Sequence, residues 1–173
     1  MNLRSVLSGT PLAIALATAL FSTASGDSTS DPVFGSWRLN ESKCRFSSMA
    51  PAVSVVRTFE PVSRGFTRIL ETRLTPEGEQ ILIEHVAAYD GKEYPIFISH
   101  GDVSGRTQSN DTVSFRRVNR DTAEGIFRSH GNKTSEFTRI VSNDGQTLSV
   151  RISGIDSAGR RIVTLLVYDR FTT

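Results

Sequence analysis

From residue 34 onward, apolar and polar positions alternate in short runs that are cut off regularly by turn-forming residues. The runs cover 34–39, 52–60, 66–75, 79–89, 94–99, 112–118, 123–130, 133–142, 146–153 and 161–169. Between them stand clusters such as Pro76-Glu77-Gly78, Asp90-Gly91, Gly131-Asn132 and Asn143-Asp144-Gly145. Glycine reaches positive φ without a Cβ clash, and Asp and Asn tolerate it, so these clusters close tight hairpins. Runs of this length and spacing predict an antiparallel meander. No segment of this region carries a helical stripe; a single turn is expected near 41–50, capped by Asn40 and stopped by Pro51.

The period of two assigns faces. Leu148, Val150 and Ile152 point one way and Ser149 and Arg151 the other. Ile81, Ile83, His85, Ala87 and Tyr89 share a face, as do Phe137, Arg139 and Val141. Such strands bury one face and wet the other. The last run, 161–169, is apolar on both faces and is expected to be covered on both. A sheet this wide must dispose of its edges, and short sequential hairpins favour closure over Greek-key crossing. The predicted fold is all-β, an antiparallel up-and-down β-barrel of about 8–10 strands. The one long connection, 99–111, is expected to lie over a barrel mouth.

The first 26 residues differ from the rest. Arg4 precedes an apolar stretch from Val6 to Phe21, and small residues follow at Ser22 to Gly26. This is the pattern of a secretory signal peptide. The domain reading is 1–26 signal peptide, 27–33 flexible leader and 34–173 barrel, with a secreted or periplasmic destination. No second apolar run follows, so no stable membrane insertion is expected after cleavage. Cys44 is the single cysteine, so it has no partner within the chain and reads as a small hydrophobe.

Charge excludes more than it assigns. The chain has 20 Lys+Arg against 18 Asp+Glu, and no basic run exceeds two residues, Arg116-Arg117 and Arg160-Arg161. Nucleic-acid binding needs basic charge gathered on one face, so none is expected. His85, His100 and His130 are too widely spaced to suggest a metal centre, and no metal or cofactor is expected. Glu71, Glu84, Asp90 and Glu93 are available carboxylates, but no nucleophile elbow or phosphate loop accompanies them, so the chain does not read as an enzyme.

Gly35-Ser36-Trp37-Arg38-Leu39-Asn40-Glu41-Ser42-Lys43-Cys44-Arg45-Phe46 resembles the opening of small exported bacterial lipocalin-like proteins of unassigned function, barrels of the calycin type. Tyr89-Asp90-Gly91-Lys92-Glu93-Tyr94-Pro95 resembles their central turn, Arg139 to Leu148 a late hairpin, and Asp156 to Tyr168 their final hairpin. The resemblance spans about residues 33–171. It implies that Trp37 closes one end of the barrel with Arg170 packed across it. The chain departs from the pattern at Cys44, where Ser is usual. It also lacks the Thr-Asp-Tyr motif of kernel lipocalins and the terminal Arg-x-Tyr pair with which fatty-acid-binding proteins hold a carboxylate.

The function expected from this reading is binding of a small hydrophobic or amphipathic ligand inside a monomeric barrel. Candidate lining residues are Phe59, Phe66, Ile83, His85, Tyr89, Tyr94, Phe115 and Phe127. Arg68, Arg116 and Arg151 are candidate partners for an anionic head group if any of them points inward. The alternatives are a protein-binding module such as a barrel-type protease inhibitor, using 27–33 or 99–111, and a small barrel enzyme.

Overall fold

The computed structural model describes residues 31–47, 53–156 and 158–172. The expected signal peptide, most of the leader and Pro51 lie outside the described residues. Ten strands follow in order: β1 (Gly35–Leu39), β2 (Ser54–Pro61), β3 (Thr67–Leu74), β4 (Gln80–Ala87), β5 (Asp90–His100), β6 (Thr107–Arg117), β7 (Thr122–Ser129), β8 (Asn132–Val141), β9 (Thr147–Ile155) and β10 (Arg161–Phe171). Each pairs antiparallel with its sequence neighbours, and β1 pairs with β10 to close the cylinder. Among the described residues there is no α-helix, only three short 3-10 turns, and no helix long and apolar enough to cross a membrane.

Every run read from the sequence is a strand, and the differences lie at the ends. The connection expected over 99–111 shrinks to 101–106, because β5 continues to His100 and β6 begins at Thr107. Asp90-Gly91, expected to be a turn, already belongs to β5. Gly91 takes φ +78° beside a register shift between Asp90 and Glu93, so it forms a bulge rather than a reversal. The turn near 41–50 is one 3-10 turn, Glu41–Lys43. Asn40 does not cap it; the Asn40 amide donates to Asp169 on β10 at 2.7 Å.

The barrel has two unlike ends. At the end where β1 starts and β10 finishes, Val33, Trp37, Val141 and Leu148 are almost wholly buried. Trp37 Nε1 donates to the Val33 carbonyl at 2.7 Å, and the Arg170 guanidinium lies 4.1 Å from the Trp37 ring centroid. Arg170 also donates to the carbonyls of Pro32, Phe34 and Gly145. So the described part of the leader, 31–33, is packed and not free: Val33 plugs the cylinder, and Asp31 pairs with Arg117. Gly35, at φ +117°, leaves the space that Arg170 fills; a Cβ there would sit 2.9 Å from its Nη1.

At the other end the strands are less crowded. Outward on β10, Val163 is exposed while Val167 is buried, so the covering expected for both faces of that strand is incomplete. The cover that exists comes from the segment after β1. Arg45 exchanges backbone hydrogen bonds with Leu165, and Val167 N donates to the Cys44 thiol sulfur at 3.2 Å. Cys44 is therefore a half-buried, hydrogen-bonded thiol and not a fully buried hydrophobe; burial raises its pKa against the opposing backbone hydrogen bond.

Candidate functional site

Register decides which side chains look inward. Ile69 pairs with His85, Glu71 with Ile83, Val150 with Arg139 and Phe115 with Gly125. Odd positions of β2, β3, β4, β6, β7 and β8 and even positions of β9 and β10 therefore share the interior with the core residues. Inward apolar residues near the closed end are buried. Toward the other end Val55 and Phe137 are still buried, but Ile81, Ile83, Ile98, Phe127, Ile152 and Leu166 are only half-buried. They form a ring of aliphatic and aromatic surface that water still reaches at the open end of the cylinder. A rim cleft of about 590 Å³ lies beside it, lined by Ser135, Gly154, Ile155, Gly159 and Arg161 among others.

Level with this ring, on β2 and β3, the interior turns polar. Glu71 is buried between Arg57 and Arg73, accepting from Nε and Nη2 of Arg57 and, at 2.5 Å, from Nε of Arg73. Burial pushes the Glu71 carboxyl up, but the two guanidinium groups outweigh it and hold it at about 2. Arg57 lies 5.2 Å from the Tyr168 ring centroid, and burial pushes the Tyr168 hydroxyl up to about 12. His85 stacks on Phe115 at 5.6 Å, and neither ring nitrogen has a hydrogen-bond partner. Burial, with Arg57 nearby, lowers its pKa to about 4, so it is neutral at physiological pH.

One group deeper still has no counterpart. Arg139, 2% exposed, points inward from β8 between Phe59 and Tyr89, with its guanidinium 5.1 and 5.4 Å from their ring centroids. None of its three nitrogens has a hydrogen-bond partner among the described residues. The Tyr89 hydroxyl is near enough to favour the charged guanidinium, yet the two do not meet with hydrogen-bonding geometry, and that hydroxyl is also unpartnered. Burial lowers the Arg139 pKa from its ordinary value, with Tyr89 and Asp31 acting against it.

The sequence-predicted residues divide into three groups. Ile83 and Phe127 face the open end, and His85, Tyr89, Phe59 and Phe115 lie deeper inside. Phe59 and Phe115 are packed core, 3% and 5% exposed, and not an accessible lining. Phe66 meets Tyr94 edge-on at 5.7 Å beside the β4–β5 boundary, and the Tyr94 hydroxyl donates to Asp90. Arg68, Arg116 and Arg151 all point outward: Arg68 pairs with Glu60 and Glu84, Arg116 pairs with Glu124, and Arg151 is exposed. The pleat forces this, because each sits one residue out of phase with Ile69, Phe115 and Val150. The carboxylates considered for acid–base work are occupied: Glu84 by Arg68 and Arg106, Asp90 by Tyr94 and Lys92, and Glu93 by Thr112. No group of three or more metal-ligating side chains converges among the described residues.

An open groove of about 460 Å³ runs across the outer wall of β6–β9, past Arg116, Glu124, Ile126, Glu136 and Arg151. It touches the interior only where β7 is thinnest, at Gly125, against the Phe115 and Phe137 rings.

No family model matches this chain, and no curated protein does either. Among solved structures it is similar to the fluorescent protein UnaG, wild type, with a TM-score of 0.51 and 12% identity over 80% of this chain and 96% of that one. A mutant of UnaG gives a TM-score of 0.53 and 12% identity over 82% and 98% of the two chains. At that identity the likeness speaks for the fold alone. The chain is a closed ten-stranded antiparallel up-and-down barrel, a fold consistent with a lipocalin-like barrel.

Proposed function

We propose that this protein is an exported barrel that takes up a small apolar or amphipathic molecule at its open end. The observation that carries the reading is the contrast between the two ends: Val33, Trp37, Val141 and Leu148 seal one, while at the other, six inward apolar residues stay half-buried. Ile81, Ile83, Ile98, Phe127, Ile152 and Leu166 keep surface in water that a guest would cover. Covering apolar surface is worth about 25 cal/mol per Å² before the costs of ordering. The similarity to UnaG adds that this barrel architecture recurs over nearly the whole of that chain. The filled lower half limits the guest to the upper half unless side chains part.

Export rests on the charged start, apolar stretch and small residues of 1–26, and the destination is the periplasm or the medium. Expression of the full-length chain in a bacterial host, followed by fractionation and intact-mass measurement, tests this part. Cleavage near residue 26 supports it, and a full-length cytoplasmic product contradicts it. Solvent extraction and mass spectrometry of the purified mature barrel test the binding part. Recovery of a stoichiometric apolar compound that displaces a hydrophobic dye supports it. A barrel that neither carries such a compound nor binds the dye contradicts it.

A further inference from the structure

The Arg139 guanidinium is the one interior cation with no hydrogen-bonding counterpart among the described residues: Arg57 and Arg73 share Glu71, while Arg117 reaches Asp31. Leaving a guanidinium buried and unpaired is costly, and the cost is relieved when an acceptor with negative charge reaches it. Two further unpartnered polar groups stand with it in the same interior, the Tyr89 hydroxyl and the His85 ring. Tyr89 and His85 both pack on Phe115, with ring centroids 5.9 and 5.6 Å away, while Tyr89 also faces Arg139. The guanidinium is a fork of donors, the phenol one more, and a neutral imidazole supplies another. Among the described residues no carboxylate hydrogen-bonds to this set: Asp31, which favours the charged Arg139 from a distance, is paired with Arg117, and Glu71 with Arg57 and Arg73.

We propose that Arg139, with Tyr89 beside it, is an internal site for the oxyanion of an amphipathic ligand, most simply a carboxylate, whose apolar body extends toward the half-buried ring at the open end. The inference rests on the binding function proposed above and narrows it to an acid. The surrounding rings of Phe59 and Phe115 exclude water and strengthen a charge-assisted hydrogen bond. The site is closed around the guanidinium, so an anion enters as side chains part. The wall beside it offers a place: the β4–β5 ladder covers only Ile81 to Glu84, and the stretch from His85 to Ala87 has no partner in β5.

The test compares dodecanoate, dodecanol and inorganic phosphate on the full mature protein at constant ionic strength, by thermal shift and by displacement of a hydrophobic dye. Dodecanoate is expected to bind at least about tenfold more tightly than dodecanol and to raise Tm more. Arg139→Met is expected to abolish that preference while dodecanol binding persists, and Arg139→Lys to restore part of it. Equal binding of acid and alcohol by the wild type overturns the anion site but leaves the apolar guest standing. Binding of neither overturns both. Protection by phosphate equal to that by dodecanoate overturns the amphipathic assignment. The wild-type comparisons need no variant, so a poorly folding Arg139→Met does not spare the proposal.

Discussion

Glu71 is held between two guanidinium groups inside the barrel, and its replacement by Gln isolates a buried cation. Arg57 keeps 17% of its side-chain surface and Glu71 6%, so neither is rescued by solvent. Breaking a buried pair from one side typically costs about 3–5 kcal/mol. The shift of Glu71 from 4.5 to about 2 gives an independent figure: at 1.36 kcal/mol per unit it corresponds to about 3 kcal/mol. The sign follows from linkage. The folded pKa is depressed, so this stabilisation is complete above about pH 4.5 and is lost as pH falls toward 2. Glu71→Gln is therefore expected to lose about 3 kcal/mol at pH 7, measured by urea denaturation. Trp37 is the only tryptophan and is wholly buried, so its fluorescence reports the transition directly. The double variant Arg57→Met with Glu71→Leu is expected to recover most of the loss, since it removes both charges together. Arg73, partly exposed, does not need its partner as Arg57 does. A loss below about 1 kcal/mol, or a double variant no better than the single, refutes the reasoning.

Other outcomes follow from the same packing. His85 is held neutral with a pKa near 4 against an ordinary 6.5, so the unfolded chain binds more protons between those values. Stability is then complete above about pH 6.5 and falls toward pH 4 by about 3 kcal/mol, a slope that His85→Phe flattens in urea titrations at several pH values. Gly125→Ala places a Cβ 2.2 Å from the Ser114 carbonyl oxygen and 2.3 Å from Phe137, and a loss of about 1–3 kcal/mol is expected on chemical denaturation. Gly35→Ala, strained at φ +117° and crowding Arg170, lowers Tm, whereas Gly105→Ala, with open space around it, leaves Tm nearly unchanged.

Much of the barrel was legible because inward and outward residues alternate without interruption along most strands. The run Leu148, Val150, Ile152 defined both the interior and the outward place of Arg151, and the same phase put Arg139 beside Phe137 and Val141. Arg139 was thus visible as an inward cation, though nothing local showed that it lacks a counterion; that depends on which strands across the barrel turn acids inward. The Arg57–Glu71–Arg73 cluster was hidden for the same reason, since it is formed across two strands by the β2–β3 register Arg57↔Glu71. The bulge at Gly91 was misread because Asp-Gly serves a turn and a bulge equally well. The docking of Val33 under Trp37 depends on a contact between a polar leader and a cavity that only closure creates.

The most direct test of the open-ended barrel is methyl NMR of the mature protein, selectively labelled at Ile, Leu and Val, during titration with dodecanol. The account predicts that Ile81, Ile83, Ile98, Ile152 and Leu166 shift together in a saturable way, while outward Ile140 and Ile155 do not. Shifts confined to Ile140 and Ile155, or no saturable shift of the inward set, would contradict it.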